Sequence, residues 1–309
     1  MARHLARRVA GTILTLFVVS LITYIALMAV PGDAASAMAG ESASTEQLQA
    51  LRTELGLDQP LPVRYGTFLA NLLLRGNLGR SFVSNKPVSD LLLERLPYTF
   101  ILALAAITLA TALGMLVGVG AALRAGTLSD TLLMGSAALG LAVPTFWSAL
   151  LFMMLFSLQL HWLPVVGADS WRHLILPALT LALPTAAVIA RLVRSSLLDT
   201  FGADYVRTAY AKGLSARRVL TRHVLRNSLI PVVTVLGLHL GYLLGGAFVV
   251  ETIFGWPGLG RLAVQAIFDR DYPVILGATL TVALIYLTIN LVVDVAQGWL
   301  DPQVAHEAV

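Results

Sequence analysis

Cysteine is absent from the 309 residues, which excludes disulfides and thiolate metal sites. Charge is scarce as well: Asp, Glu, Lys and Arg make up 12% of the chain against 57% hydrophobic residues, too apolar a balance for a soluble domain. Only two lysines occur, Lys86 before Pro87 and Lys212 before Gly213, and neither stands in a G-x-x-x-x-G-K-[ST] phosphate cradle. Also missing are H-E-x-x-H, G-x-S-x-G and any pair of carboxylates on one helical face, so an enzymatic activity is not expected. The arginines sit beside apolar runs rather than on a separate basic domain, which argues against nucleic acid as a partner.

What the chain has in quantity is long apolar runs. About 20 apolar residues cross the hydrocarbon core of a bilayer, and six runs meet that length approximately: 9–30, 98–123, 131–160, 174–190, 228–250 and 273–293. The expected fold class is therefore all-α, a polytopic membrane protein with six transmembrane helices. The fourth run is short and holds Pro177 and Pro184, which predicts a kink. A cytoplasmic amino terminus puts Arg3, Arg7, Arg8, Arg124, Arg191, Arg194, Arg207, Lys212, Arg217, Arg218, Arg222 and Arg226 inside. Only Arg172, Arg261 and Arg270 then fall in short outer loops, so both termini are expected in the cytoplasm. Ala37-Met38-Ala39 has the small-x-small form of a signal-peptide cleavage site, but the apolar run before it exceeds the usual h-region of about 7–15 residues. A retained anchor is the preferred reading.

Residues 31–97 are too long for a simple loop. Pro31-Gly32-Asp33 marks a sharp exit from the first span, and Ser44 with Gln47 has the capping-box spacing. Leu48, Leu51 and Leu55 mark one face of the helix that follows, and Gly56 ends it. Pro60 and Pro62 precede a second amphipathic stretch with Tyr65, Phe68, Leu69, Leu72 and Leu73, and a third, 88–96, leads back to the membrane. The segment reads as a small extracytoplasmic helical cap.

Within the spans, Gly114, Gly118 and Gly120 predict close helix packing, and Pro144 frees a backbone carbonyl. His161 and His173, with no carboxylate or thiolate cluster, are too few for a metal site, and no cofactor is expected. His239, with Tyr242, is the titratable side chain deep in the fifth apolar run. It has two readings: a group facing the translocation pathway, or a neutral imidazole bonded to a neighbouring helix.

Residues 204–231 form a basic island between two spans. The spacing predicts a short helix up to Lys212, a stop at Gly213, and a second helix with Ser215 as N-cap. Val206, Tyr210 and Leu214 would form one apolar stripe, with Arg207 and Lys212 projecting elsewhere. Topology alone would accept a basic cytoplasmic loop here; a stripe flanked by cations also suits a docking face.

The run TAYAKGLS from Thr208 to Ser215, then HVLRN from His223 to Asn227 and Leu229-Ile230-Pro231, resembles the coupling loop of ABC-importer permeases. Arg207 stands where that motif has glutamate, and Arg226 where a Leu-Pro proline would fall; both departures resemble the dipeptide, oligopeptide and nickel branch. Further similar wording is found in LGLDQPL (55–61), NLGRSF (77–82), Pro87-Val88, ETIFGWPGLGR (251–261), DRDYP (269–273), which follows a short helix expected over 262–268, and Leu300-Asp301-Pro302. The resemblance implies a type I ABC-importer permease fold: a tail and first span (1–30), the outer cap (31–97), a five-helix core (98–296) with a coupling loop (194–228), and a cytoplasmic tail (297–309). It implies a multi-pass subunit of the cell inner membrane, paired with a sister permease as a heterodimer, two ATP-binding cassette subunits and an extracytoplasmic solute-binding protein. ATP hydrolysis would reside on the partners. Asp204, Tyr205, Arg207, Ala209, Ala211, Lys212, Gly213, Leu214 and Ser215 would dock on the ATPase. His239, Tyr242 and Glu251 would border the pathway, and Asp58, Trp256, Pro257 and Arg261 would meet the binding protein. Di- and oligopeptides are the expected cargo, with nickel or a metal chelate as the alternative. A secondary transporter or a channel fits less well, because neither buried carboxylates nor a repeated pore ring is evident.

Overall fold

The computed structural model describes residues 2–29, 34–39, 44–54 and 56–300, and its regular structure is helical. Among the described residues the only β pairing is one isolated bridge between Arg80 and Pro87. The chain divides into two compact units, residues 1–99 with 257–288, and residues 100–256 with 289–309. Pro31-Gly32-Asp33, Leu55, Asp301 and Pro302 lie outside the described residues, as does most of the C-terminal tail.

In the first unit, α1 (Ala2–Ala29) is followed by α2 (Ala34–Ala39), α3 (Thr45–Glu54) and α4 (Leu61–Arg75). Ser44 and Gln47 cap α3 reciprocally: the Ser44 amide donates to Gln47 Oε1 at 3.0 Å and the Gln47 amide to Ser44 Oγ at 3.2 Å. Prolines suit the first turn of α4, where the missing N–H costs nothing, and Gly76 closes its other end at φ 60°. The expected third amphipathic stretch does not stop before the membrane. It continues through Pro97 as α5 (Val88–Ala122), one helix of 35 residues. Val88 and Leu92 pack against Leu259, Ala266, Val274, Ile275 and Ala278 from the later helices of this unit.

The second unit holds the rest of α5, then α6 (Leu128–Ala142), α7 (Thr145–Phe152), which runs on as a π-helical segment to Gln159, and α8 (Arg172–Phe201). Pro144 breaks the third span instead of merely freeing a carbonyl, because Val143 and Pro144 turn extended and the two helical pieces meet at 103°. Gly114 and Gly118 face α8. A Cβ at Gly114 would lie 2.7 Å from Ile189 Cβ, and one at Gly118 would lie 2.7 Å from the Ala190 carbonyl oxygen. Close packing is thus what these two glycines permit. Gly120, by contrast, meets only the side-chain ends of Leu133 and Arg124.

The fourth span differs from expectation. It is a continuous helix of 30 residues that contains both Pro177 and Pro184 and carries Arg191 and Arg194 past the apolar stretch. Cutting a span at its first arginine finds the edge of the hydrocarbon, and a helix need not end there. The chain goes on through α9 (Asp204–Ala211), α10 (Ala216–Val219), a π-helical turn Leu220–Val224, α11 (Leu225–Ser228), α12 (Ile230–Gly246), α13 (Phe248–Ile253), α14 (Leu259–Asp269) and α15 (Tyr272–Leu300). Among the described residues four helices are long and apolar enough to cross a membrane; with the broken pair α6–α7 and the shorter apolar helix Val235–Gly245, six apolar segments stand in the expected order.

Candidate functional site

The basic island folds as two short helices about a glycine knuckle. After Ala211, the Leu214 amide donates to the Ala209 carbonyl at 3.3 Å and the Gly213 amide to the Tyr210 carbonyl at 2.9 Å. This is the double bond pattern of a Schellman stop, and it needs a left-handed residue, which Gly213 supplies at φ 77°. Leu214, next after the glycine, turns back and packs with Ala209 in one cluster. Ser215 occupies the N-cap position of α10 with extended backbone, φ −66° and ψ 148°, but its side chain makes no capping hydrogen bond.

The apolar side of the knuckle is spent inside the chain. Val206 and Ala209 of α9, with Val219 and Val224 beyond the knuckle, are buried against Val193 and Leu197 of α8. Tyr210 does not join the expected stripe. Val206 and Ala209 stand three positions apart on the inward face, which turns Tyr210 outward at 47% exposure, beside Tyr205 at 43%. The outer surface therefore carries Tyr205, Arg207, Tyr210, Ala211, Lys212, Ser215, Arg217, Arg218 and Arg222, with Asp204 as its one acid. The side chains of His223, Arg226, Asn227 and Pro231 lie outside the described ones.

An ion pair missed in the sequence braces the base of this element. Arg194 on α8 donates from Nε to Asp130 Oδ1 at 2.7 Å and from Nη2 to Oδ2 at 2.6 Å, a bidentate fork. Asp130 is positioned by the start of α6: it accepts from the Gly126 amide at 3.0 Å, while Thr127 Oγ1 accepts from the Asp130 amide at 3.4 Å. Thr127-Leu128-Ser129-Asp130 is an S/T-x-x-D cap ahead of an apolar run, and that pattern could have revealed the first half of the clamp.

The expected pathway residues are not brought into one cluster. His239 is half-buried, its Nδ1 3.5 Å from Thr185 Oγ1 on α8, the outer limit of a hydrogen bond. Its ring stands edge-on to Tyr242, which is 64% exposed. Glu251 is fully buried in α13, and its carbonyl accepts from the Trp256 amide at 2.8 Å. Of the residues expected to meet a binding protein, Trp256 is buried and Pro257 half-buried, while Arg261 and Asp58 are exposed. Among the described residues no three His, Asp or Glu side chains gather as metal ligands.

Two stretches singled out in the sequence do meet, in the first unit. Asp271 of DRDYP accepts from Ser81 Oγ of NLGRSF at 2.5 Å and from the Phe82 amide at 3.0 Å. Ser81 Oγ in turn accepts from the Ser84 amide at 2.9 Å, so the buried carboxylate is held by charge-assisted bonds on a fixed turn.

A helical permease with broken and continuous spans and a braced basic knuckle has the architecture of a type I ABC-importer membrane subunit. Solved structures with this fold include an amino acid ABC transporter crystallised with histidines, with TM-score 0.54 and 14% identity over 68% of this chain and 94% of that one. The MetNI methionine ABC transporter in an inward-facing form matches with TM-score 0.57 and 18% identity over 68% and 96%. The chain belongs to the family of binding-protein-dependent transport system inner membrane components, which matches residues 110–306, with the N-terminal component of the same systems matching 1–103. The glutathione transport system permease protein GsiC is 43% identical over 99% of this chain and 100% of its own length, in Escherichia coli strain K12 and in Salmonella typhimurium strain LT2 alike. The protein is thus a permease subunit of an ABC importer.

Proposed function

We propose that this subunit imports small peptides delivered by a solute-binding protein, and that the knuckle at 204–228 is where separate ATP-binding subunits drive it. The observation that carries the reading is the outer face of α9 and α10. Its apolar side is consumed within the chain, and the large side chains left exposed are tyrosine, arginine and lysine, of which tyrosine and arginine are enriched at protein interfaces. The Schellman stop and the packing on Val193 and Leu197 make the knuckle stiff enough to transmit a push into α8. Closure of the ATPase dimer would draw the knuckle toward that of a sister permease, and rocking of the helices would open the pathway outward. Both termini then lie in the cytoplasm of the cell whose inner membrane holds the complex.

The peptide reading is supported by the relatives named for glutathione, itself a tripeptide. Gly213→Pro tests the lever: proline removes the Gly213 amide donor and cannot adopt φ 77°. A reconstituted importer with this variant should retain membrane insertion and lose binding-protein-stimulated uptake; undiminished uptake would refute the assignment. Cargo is tested by the ATPase rate with the binding protein loaded with dipeptides, with glutathione, or with a nickel chelate. Stimulation by the chelate alone would reverse the peptide reading.

A further inference from the structure

Helix α4 is placed and composed differently from a cap that stands in water. Tyr65 from its second turn bonds to Ser20 of α1, hydroxyl to hydroxyl at 2.8 Å, and both side chains are buried. Tyr24 and Phe68 complete the contact, with ring centroids 5.2 Å and 6.4 Å from that of Tyr65. The apolar span of α1 runs Arg8–Leu27. Ser20 lies seven residues before its end, roughly 10 Å along the axis at 1.5 Å per residue. The start of α4 is therefore level with the acyl chains and not with bulk water.

The free face of α4 agrees. Its exposed residues between the two ends are Val63, Gly66, Thr67, Ala70, Leu73 and Leu74, without a charge among them. Leu73 and Leu74 are 78% and 83% exposed. The one hydroxyl there, Thr67 Oγ1, donates back to the Val63 carbonyl at 2.9 Å, so it asks nothing of the solvent. Arg64, Asn71 and Arg75 recur at helical spacing along one flank, and the Arg64 guanidinium lies 6.0 Å over the Tyr24 ring. Neighbouring α3 shows the contrast: Thr45, Glu46, Gln47, Gln49, Ala50, Thr53 and Glu54 are its exposed positions, all but Ala50 polar, the surface of a helix in water. On α1, Phe17, Val18, Ile22 and Ile25 are exposed over the same depth, so the first span also presents apolar surface at the level of α4.

We propose that α4 is embedded in the bilayer leaflet entered by the C-terminal end of α1, with Val63, Ala70, Leu73 and Leu74 against acyl chains and the Arg64–Arg75 flank at the phosphate level. That this is the outer leaflet rests on the orientation proposed above. The helix then anchors the segment between the first two spans laterally, as an interfacial element.

The cysteine-free chain makes the test direct. Val63→Cys, Leu74→Cys and, on α3, Gln49→Cys are each spin-labelled on the full-length chain, assembled with the partner subunits and reconstituted in phosphatidylethanolamine–phosphatidylglycerol vesicles. Collisional relaxation is then measured with oxygen and with a neutral nickel chelate. The ratio of oxygen to nickel accessibility at positions 63 and 74 should exceed that at 49 several-fold. A ratio equal to that at 49 would place α4 in water, and exclusion of both reagents would place it under another protein; either overturns the proposal. A reversed orientation would exchange vesicle faces and leave the ratio unchanged, so the two failures are separable.

Discussion

Replacing Gly114 and Gly118 together by alanine puts two methyl groups where α8 already lies. The new Cβ atoms would stand 2.7 Å from Ile189 Cβ and 2.7 Å from the Ala190 carbonyl oxygen, against 3.4 Å or more for an ordinary contact. The obstacles are a β-branched side chain close to the backbone and the backbone itself, so neither gives way by a rotamer change. The helices must part by about 0.7 Å, and overpacking of this kind costs about 1–3 kcal/mol per site. Alanine returns about 0.8–1 kcal/mol per site in helix propensity, which leaves the pair about 2 kcal/mol less stable. Thermal unfolding in detergent, followed by tryptophan emission, should show a midpoint several degrees lower than that of the parent chain. Gly135→Ala is the control: nothing stands within 4 Å of its Cβ, so only the propensity gain applies and the midpoint should hold or rise. A double variant as stable as the parent would mean that α5 and α8 are not in contact through these glycines.

The Arg194–Asp130 fork gives a second test. Asp130→Asn removes the charge but keeps the shape, and uptake per ATP hydrolysed should fall because α8 loses its brace beside the knuckle; the exchange Asp130→Arg with Arg194→Asp should recover part of it. Equal coupling in all variants would show the fork to be incidental. In the other unit, Ser81→Ala deletes one donor to the buried Asp271 carboxylate, a loss of about 1.5–3 kcal/mol for a bond to a charged group. Limited proteolysis of the turn at 77–87 reads it out, and an unchanged cleavage rate would count against the pin.

Helices were legible in the sequence wherever a local rule governs them. The Ser44–Gln47 cap, the Gly213 stop and the helix before DRDYP depend on a few neighbouring residues, and each stands where the spacing put it, α14 extending from Leu259 to Asp269. Long-range decisions were not legible. Whether Pro144 bends or breaks a span, and whether α8 ends at Arg191 or runs to Phe201, depends on what the helix leans against. Helical spacing groups Tyr210 with Val206 and Leu214 in one apolar stripe fit for docking, because its aromatic ring counts as apolar; in the structure Val206 packs inward beside the small Ala209 and Tyr210 is left outside. The Asp130–Arg194 and Asp271–Ser81 pairs join residues 64 and 190 positions apart, a separation no spacing rule bridges.

The knuckle has one more consequence. Around Gly213 nothing lies within 4 Å of the site a Cβ would take, so there is ample room for a side chain. What bars most residues is the positive φ. Position 213 thus selects for handedness and is indifferent to bulk. A D-alanine introduced there by semisynthesis should be accepted as readily as glycine, and by reducing the freedom of the unfolded chain it should stiffen the elbow beyond its natural state.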